Sequence, residues 1–339
     1  MNNITGTLRA SIIKYCTTIG SDPLFVQGAG GNVSWKEGNT LWIKASGTWL
    51  AEAAEKDIFV PVYLPHLRAA IESGDFSVTP EVRGESILRP SIETLLHALM
   101  PNRVVVHLHA IEILAYLVRD NCQTDFQSLV DESIKWTIVD YHKPGAALAT
   151  AVSAALVQKP NVDVVFLKNH GVVIGGADVA EVGHILNMLT TALSTIPANI
   201  CSKSPPQMPT ALGQYAPAQD ADVHQLALNA DFFNRLDTDW ALYPDHVVFL
   251  GARSYVYRTW DAFREENKIE SELPELVFIH GVGVFVMPTF SKAKQAQLRC
   301  YFDILTRQKF HSSIQALTNM QISELLSWDA EQYRINLSR

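Results

Sequence analysis

The 339-residue sequence predicts an α/β protein of two domains. Three observations carry this expectation. Stretches of helical period alternate with short β-branched runs from about Thr5 to Thr195. Two short extended segments flank a Gly38-Asn39 turn, which reads as a hairpin. The texture then changes at Cys201–Asp220, where Pro205, Pro206, Pro209 and Pro217 stand among serine, glutamine and alanine, the composition of a linker. The expected division is 1–200, a linker over 201–220, and a smaller α/β domain over 221–339.

The elements follow in order. Leu8, Ile12, Ile13, Cys16 and Ile19 repeat at helical spacing, so a helix is expected over Thr5–Ile19. Leu24–Val26 reads as a strand entering Gln27-Gly28-Ala29-Gly30-Gly31-Asn32-Val33-Ser34, with partner strand Thr40–Lys44. Strand Ile58–Val62, helix Leu67–Ser73 and a loop over Phe76–Arg89 come next. Pro90-Ser91 opens a helix over Ile92–Met100. Beyond it are strand Val104–Leu108, helix Ile111–Arg119, strand Thr137–Val139, helix Ala146–Val157, strands Val162–Leu167 and Val172–Ile174, and a helix from Asp178 to Thr195. Past the linker, expectations are helix Asp222–Leu236, strand His246–Leu250, a hairpin of Leu276–Phe278 with Val282–Val286, and helices Lys292–Lys309 and Ser323–Leu337.

Composition excludes several classes. With 47% hydrophobic and 18% charged residues the chain is not intrinsically disordered. A net charge of -8 is not the electrostatic footprint of a general nucleic-acid binder. No apolar run reaches the roughly 18 residues of a spanning helix, and no secretory leader is legible at the N-terminus, so a cytoplasmic protein without a membrane partner is expected. Cys16, Cys122, Cys201 and Cys300 are widely spaced and read as buried free thiols; His184, in an apolar helix, reads as a core residue.

Val104-Val105-Val106-His107-Leu108-His109 carries the sharpest chemistry. Strand side chains alternate, so His107 and His109 share a face and their imidazoles can converge on a metal ion. Two surface histidines flanking a buried strand have the same spacing, and spacing alone does not choose. His170, in Asn169-His170-Gly171 after another apolar strand, is a candidate third ligand or a plain strand-end histidine. Glu93, in Pro90-Ser91-Ile92-Glu93, is either a first-turn carboxylate facing the helix dipole, or a fourth ligand or general base beside a metal. His97 lies one turn later on the same face and reads as a supporting residue. The glycine run fails the GxGxxG pattern at Val33 and is either a backbone anion nest or a tight turn.

The order GxGGNxS, IxxSG, PSxE with a histidine four residues on, HxH, NHG resembles the class II aldolase/adducin family over about Leu8–Thr195. The resemblance implies a three-layer α/β/α fold around a mainly antiparallel sheet. It implies a divalent metal, most often Zn2+ and otherwise Mn2+ or Co2+, on His107, His109 and His170, with Glu93 as acid/base. It places a substrate phosphate against Gly31, Asn32, Ser46, Gly47 and Ser91. Those aldolases often carry threonine where Ala29 stands and a second serine where Ile92 stands. Each loss removes a donor worth about 1.5–3 kcal/mol to an anion, and Lys44 and Arg89 are candidate replacements.

The wording of Val26–Ser34 and Trp42–Leu50 is most similar to the aldolase part of bifunctional rhamnulose-phosphate aldolase/alcohol dehydrogenases. Tyr243-Pro244-Asp245-His246, His280-Gly281-Val282-Gly283 and Trp328–Tyr333 fit more loosely. The dehydrogenase domain that follows in those proteins has no counterpart before Arg339, so dehydrogenase activity is not expected. The implied function is a lyase cleaving or forming a C–C bond in a ketose or ketose phosphate through a metal-stabilised enediolate. An epimerase or dehydratase on the same site, and a non-catalytic adducin-like interaction module, are the alternatives. The implied partners are a small sugar or sugar-phosphate substrate and further copies of the chain, tetramers being common in the family.

Overall fold

The computed structural model describes residues 2–198, 213–268, 273–309 and 313–328, in two units: Met1–Leu117 with Asn121–Ser194, and Val118–Asp120 with Thr195–Arg339. Among the described residues no helix is long and apolar enough to cross a membrane.

The first unit runs α1 (Asn2–Gly20), β1 (Asn32–Glu37), β2 (Thr40–Lys44), β3 (Phe59–Tyr63), α2 (Leu64–Ser73), α3 (Thr94–Leu99), β4 (Val104–Leu108), α4 (Ile111–Leu117), α5 (Cys122–Leu129), β5 (Trp136–Val139), α6 (Ala146–Gln158), β6 (Val164–Leu167), β7 (Gly171–Gly176) and α7 (Val179–Ala192). The strands form one sheet in the order β3-β2-β1-β4-β7-β6-β5. Only the β5–β6 pair is parallel among the described pairings of this sheet.

Strand alternation sorts this unit into three layers. On β4, Val104, Val106 and Leu108 join Val33, Trp35, Phe166, Val172 and Ile174 in a core closed by Ile12 and Cys16 of α1, Ile113 of α4 and Leu186 of α7. Val105 faces the other way with Val165 and Val173, against Leu96 of α3 and Leu148 and Val152 of α6. Leu41, Ile43, Val60 and Val62 extend that second face beneath Leu67 of α2 and Leu95 of α3. The sheet is therefore covered on both faces, and His107 shares the face of Val105.

Local chemistry ends the elements where the sheet needs them to end. The Asp178 carboxylate caps α7 by accepting from the amides of Ala180 (2.9 Å) and Glu181 (3.0 Å), while Glu181 accepts from the Ala177 amide at 2.6 Å.

Several sequence expectations are corrected. Leu24–Val26 is a turn, because Asp22 accepts from Leu24 through its side chain and from Phe25 and Val26 through its carbonyl. Helix α5 lies where no element was expected. His184 is exposed on α7, not in the core. Cys16, Cys122 and Cys300 are buried free thiols; Cys201 lies outside the described residues.

The second unit contains β8 (Ala216–Pro217), α8 (Gln225–Leu228), α9 (Ala230–Arg235), α10 (Pro244–Leu250), β9 (Val256–Tyr257), α11 (Trp260–Glu266), β10 (Leu276–Ile279), β11 (Gly283–Val286), α12 (Lys292–Thr306) and α13 (Asn319–Leu326). Its sheet has the order β8-β11-β10-β9. The expected linker lies outside the described residues over 201–212, and its end forms β8 against Phe285 and Val286. The helix expected over Asp222–Leu236 is broken, with Asn229 extended (φ -89°, ψ 121°) and capping α9. The last helix begins earlier than expected, and Asp329–Tyr333 lie outside the described residues.

His246–Leu250 is helical, not a strand. All seven residues of α10 are buried, and a short run buried on every side has no period to separate helix from strand. Pro244 at its first turn and Gly251 at its end (φ 97°) are the helix signals. His246 is fully buried between Tyr243 and Tyr301, and among the described residues neither ring nitrogen has a hydrogen-bond partner.

Two predictions arise. Asp178→Ala removes the α7 cap and should cost about 1 kcal/mol, read by urea unfolding. Burial lowers the His246 pKa to about 3, partly offset by Asp245. The unfolded chain binds this proton near pH 6.5 and the folded chain does not, so stability falls as pH drops from about 6.5 toward 3. The His246 share should reach about 2 kcal/mol at pH 5. His246→Met should flatten the pH 7-to-5 difference in unfolding free energy by that amount.

Candidate metal centre

His107 is set by the strand ladder. It stands opposite Asn32 of β1 and Val173 of β7, with its ring on the α3 side of the sheet. His109 follows two residues later, so it shares that side. His170 comes from the β6–β7 turn, where Asn169 takes a left-handed conformation (φ 50°) and the His170 amide donates to the Leu167 carbonyl at 3.1 Å. One potential ligand atom from each of the three buried histidines lies within 4.8 Å of the others.

The donor chemistry fits a metal ion. His107 Nδ1 is 3.1 Å from the Val172 carbonyl, which can only accept; this places the proton on Nδ1 and leaves a lone pair on Nε2. His107 Nε2 and His109 Nε2 face each other at 3.2 Å. Two nitrogens on one tetrahedral zinc ion would stand about 3.3 Å apart. Gly171 leaves the space the rings occupy. A Cβ there would lie 2.4 Å from the Leu108 carbonyl and 3.1 Å from carbons of both His107 and His109.

Glu93 is buried at the N-cap of α3, its amide donating to Ser91 Oγ at 3.2 Å. Its Oε1 is 3.3 Å from His170 Nε2 and its Oε2 3.6 Å from His107 Nε2. Asn32 Nδ2 donates to the same Oε2 at 2.7 Å. The carboxylate thus stands beside the three imidazoles and is held by an amide from the neighbouring strand.

Three loops meet next to this cluster. Gly28 and Gly31 have φ of 59° and 66°, and the Gly30 amide closes a turn onto the Gln27 carbonyl at 3.1 Å. The glycine run is thus a tight turn, and a Cβ at Gly31 would come 3.0 Å from the His107 carbonyl. The buried Lys44 ammonium donates to the carbonyls of Ala29 (3.1 Å) and Ala45 (3.4 Å). The Lys44 carbonyl accepts from the Ser91 amide at 3.2 Å, and the Ser46 amide donates to the Arg89 carbonyl at 2.9 Å. Lys44 therefore touches the glycine turn, the Ser46-Gly47 turn and the Ser91 segment at once. The Arg89 residue is exposed, and its backbone carbonyl is what joins this junction.

Sequence reasoning missed Gln27. Its side chain donates to the carbonyls of Pro23 (2.7 Å) and His109 (3.3 Å), tying the glycine turn to the histidine strand. Adjacency to the glycine run was its only signal.

Residues 10–196 match the family described as "Class II Aldolase and Adducin N-terminal domain", and the chain belongs to that family. It is 28% identical to the "L-fuculose phosphate aldolase" of Methanocaldococcus jannaschii over 180 residues, 51% of this chain and 86% of that protein. It is 29% identical over 174 residues to "Uncharacterized oxidoreductase YuxG" of Bacillus subtilis, a match covering 47% of this chain and 25% of that protein. The chain thus spans about a quarter of YuxG. Among solved structures, the N-terminal class II aldolase domain of a conserved Thermoplasma acidophilum protein superposes with a TM-score of 0.46 at 25% identity, over 54% of this chain and 90% of that one. A sugar-phosphate aldolase from Thermotoga maritima does so with a TM-score of 0.44 at 19% identity, over 56% and 93%.

Gly171→Ala should disturb the histidine cluster, because the added methyl meets the Leu108 carbonyl and two rings at once. Cobalt(II) affinity, measured by competition with a chelator, should fall roughly tenfold to a hundredfold.

Proposed function

We propose that the first unit is a metal-dependent class II aldolase, a carbon–carbon lyase acting on a ketose or ketose phosphate. The observation that carries this reading is the Glu93 carboxylate, 3.3 and 3.6 Å from the nitrogens of His170 and His107. A buried carboxylate beside three clustered imidazoles supports a role in proton transfer at a substrate carbon.

His107, His109 and His170 would hold the ion, zinc first and manganese or cobalt as alternatives. When bound, it supplies Lewis acidity toward carbonyl and hydroxyl oxygens. Glu93 delivers a proton to the carbon freed by cleavage, and removes it in the synthetic direction. Asn32, by donating to Glu93 Oε2, holds one carboxylate oxygen and aims the other. Gly31, Ser46, Gly47 and Ser91 would receive the anionic end of the substrate. Lys44, fixed to the Ala29 and Ala45 carbonyls, adds a buried positive charge to this junction, but its ammonium is bound to backbone and does not replace the hydroxyls absent at Ala29 and Ile92. The family relatives named fuculose-phosphate aldolases support a ketose 1-phosphate as the first substrate to try.

The test is direct. Protein reloaded with zinc, manganese or cobalt is incubated with L-fuculose 1-phosphate and L-rhamnulose 1-phosphate. The expected result is dihydroxyacetone phosphate and an aldehyde. An isomeric product without a fragment would instead indicate an epimerase, and loss of water a dehydratase. A protein that takes up none of these metals would overturn the enzyme reading in favour of an interaction module. Glu93→Gln should retain stoichiometric metal and lose about 10²–10⁴-fold in turnover.

A further inference from the structure

β1 and α3 meet through three polar rungs. Asn32, Ser34 and Lys36 share one face of β1, as their ladder positions require. Glu93, His97 and Met100 lie at i, i+4 and i+7 along α3 and its caps, one stripe of the helix. The rungs pair in order. Asn32 Nδ2 donates to Glu93 Oε2 at 2.7 Å. Ser34 Oγ is hydrogen-bonded to His97 Nδ1 at 2.8 Å. Lys36 Nζ donates to the carbonyl of Met100, and to that of Asn102 at 2.9 Å, just past the end of α3.

The two repeats match over the first step. Two strand residues advance about 6.6–6.8 Å and the four helical residues from Glu93 to His97 about 6 Å. The three residues from His97 to Met100 advance only about 4.5 Å, and the long Lys36 side chain covers the difference. This spacing lets the first two rungs form without bending either element. It also makes their alignment specific, since slipping the helix by one turn would move Glu93 by about 5.4 Å.

The middle rung is the least expected on packing grounds. Ser34 and His97 are both fully buried, between the apolar clusters around Leu95 and Leu96. Burial holds the His97 pKa well below its ordinary value, with the nearby His107 next in effect, so the ring is neutral. An apolar pair would fill this space without desolvating a hydroxyl and an imidazole. Helix α3 has six residues, too few to be stable alone, so its position is set by what it docks on.

We propose that Ser34 and His97 are positioning residues, whose hydrogen bond sets the register of α3 on β1 and thereby holds the Glu93 carboxylate against the His107–His170 nitrogens. This rests on the reading of Glu93 as a group acting beside a metal. Neither residue need touch substrate. The chain of contact runs from Ser34 through His97 and one helical turn to Glu93.

The test uses full-length protein loaded with cobalt(II) and five variants: Glu93→Gln, Ser34→Ala, Ser34→Thr, His97→Leu and His97→Asn. Threonine keeps the hydroxyl, and asparagine can reproduce the Nδ1 contact. Two readouts are taken: the cobalt d–d spectrum, and hydrogen–deuterium exchange at the hydroxymethyl carbon of dihydroxyacetone phosphate in D2O. Ser34→Ala and His97→Leu should shift the spectrum toward that of Glu93→Gln and slow exchange about a hundredfold. Ser34→Thr and His97→Asn should stay within about tenfold of the unsubstituted protein, one order above the truncations.

A lower melting temperature with unchanged spectrum and exchange would overturn the proposal, since it would mean the pair only stabilises the fold. A Glu93→Gln spectrum identical to that of the unsubstituted protein would overturn it too, because Glu93 would then not stand at the metal. If the unsubstituted protein does not exchange dihydroxyacetone phosphate, the aldolase reading loses its support. The cobalt spectra of the truncations then decide the positioning claim alone, in the same two directions.

Discussion

The antiparallel register of β4 between β1 and β7 is the constraint on which the candidate metal centre depends. It sets His107 opposite Asn32 on one side and Val173 on the other. A slip of one residue would turn His107 into the core now filled by Leu108 and would bring Leu108 to the cluster. The same pairing presents the Val172 carbonyl to His107 Nδ1, so the backbone that fixes the position of the ring also selects its tautomer. Gly171 is part of this arrangement, because the close approach of β7 leaves no volume for a side chain beside the two rings.

Around that register, the polar groups are held by connections between segments distant in the chain. Glu93 is reached by Asn32, the glycine turn by Lys44, and the His109 carbonyl after the histidine strand by Gln27. Such buried contacts add modest net stability, because each group has first to be stripped of water. Their effect is geometric: they tie segments distant in the chain to one relative position. The buried Lys44 shows this well. Its ammonium meets two carbonyls from two loops while its own carbonyl takes the Ser91 amide, so displacing any one loop would strand a polar group in the interior.

The second unit follows a different logic. Its polar interior centres on Tyr243, whose hydroxyl donates to Gln297 Oε1 at 2.5 Å, with Gln297 in turn donating to Asp245 Oδ2 at 3.4 Å. The Tyr243-Pro244-Asp245-His246 segment was legible as a motif, yet its conformation was not. Val247, Val248 and Phe249 have strand propensity, and tertiary burial on all sides overrides it.

The sequence by itself determined the parts that rest on local period and local backbone chemistry. Alternation put His107 and His109 on one face, the valines before them made a central strand, and Asp178 announced the start of α7. The order of the motifs carried the resemblance to the family that the match over residues 10–196 shows. Tertiary structure alone decided what those residues meet. Glu93 and His170 lie 14 residues before and 63 after His107, and no periodicity relates them; only the sheet order β1-β4-β7 and the docking of α3 carry them to the same nitrogen atoms. Lys44, a plausible anion ligand from its place in the chain, turns out to bind backbone carbonyls, because the loop that supplies them folds over it from 15 residues away. Hydrogen-bond partners of this kind are set by long-range packing, and packing is not written in any window of the sequence.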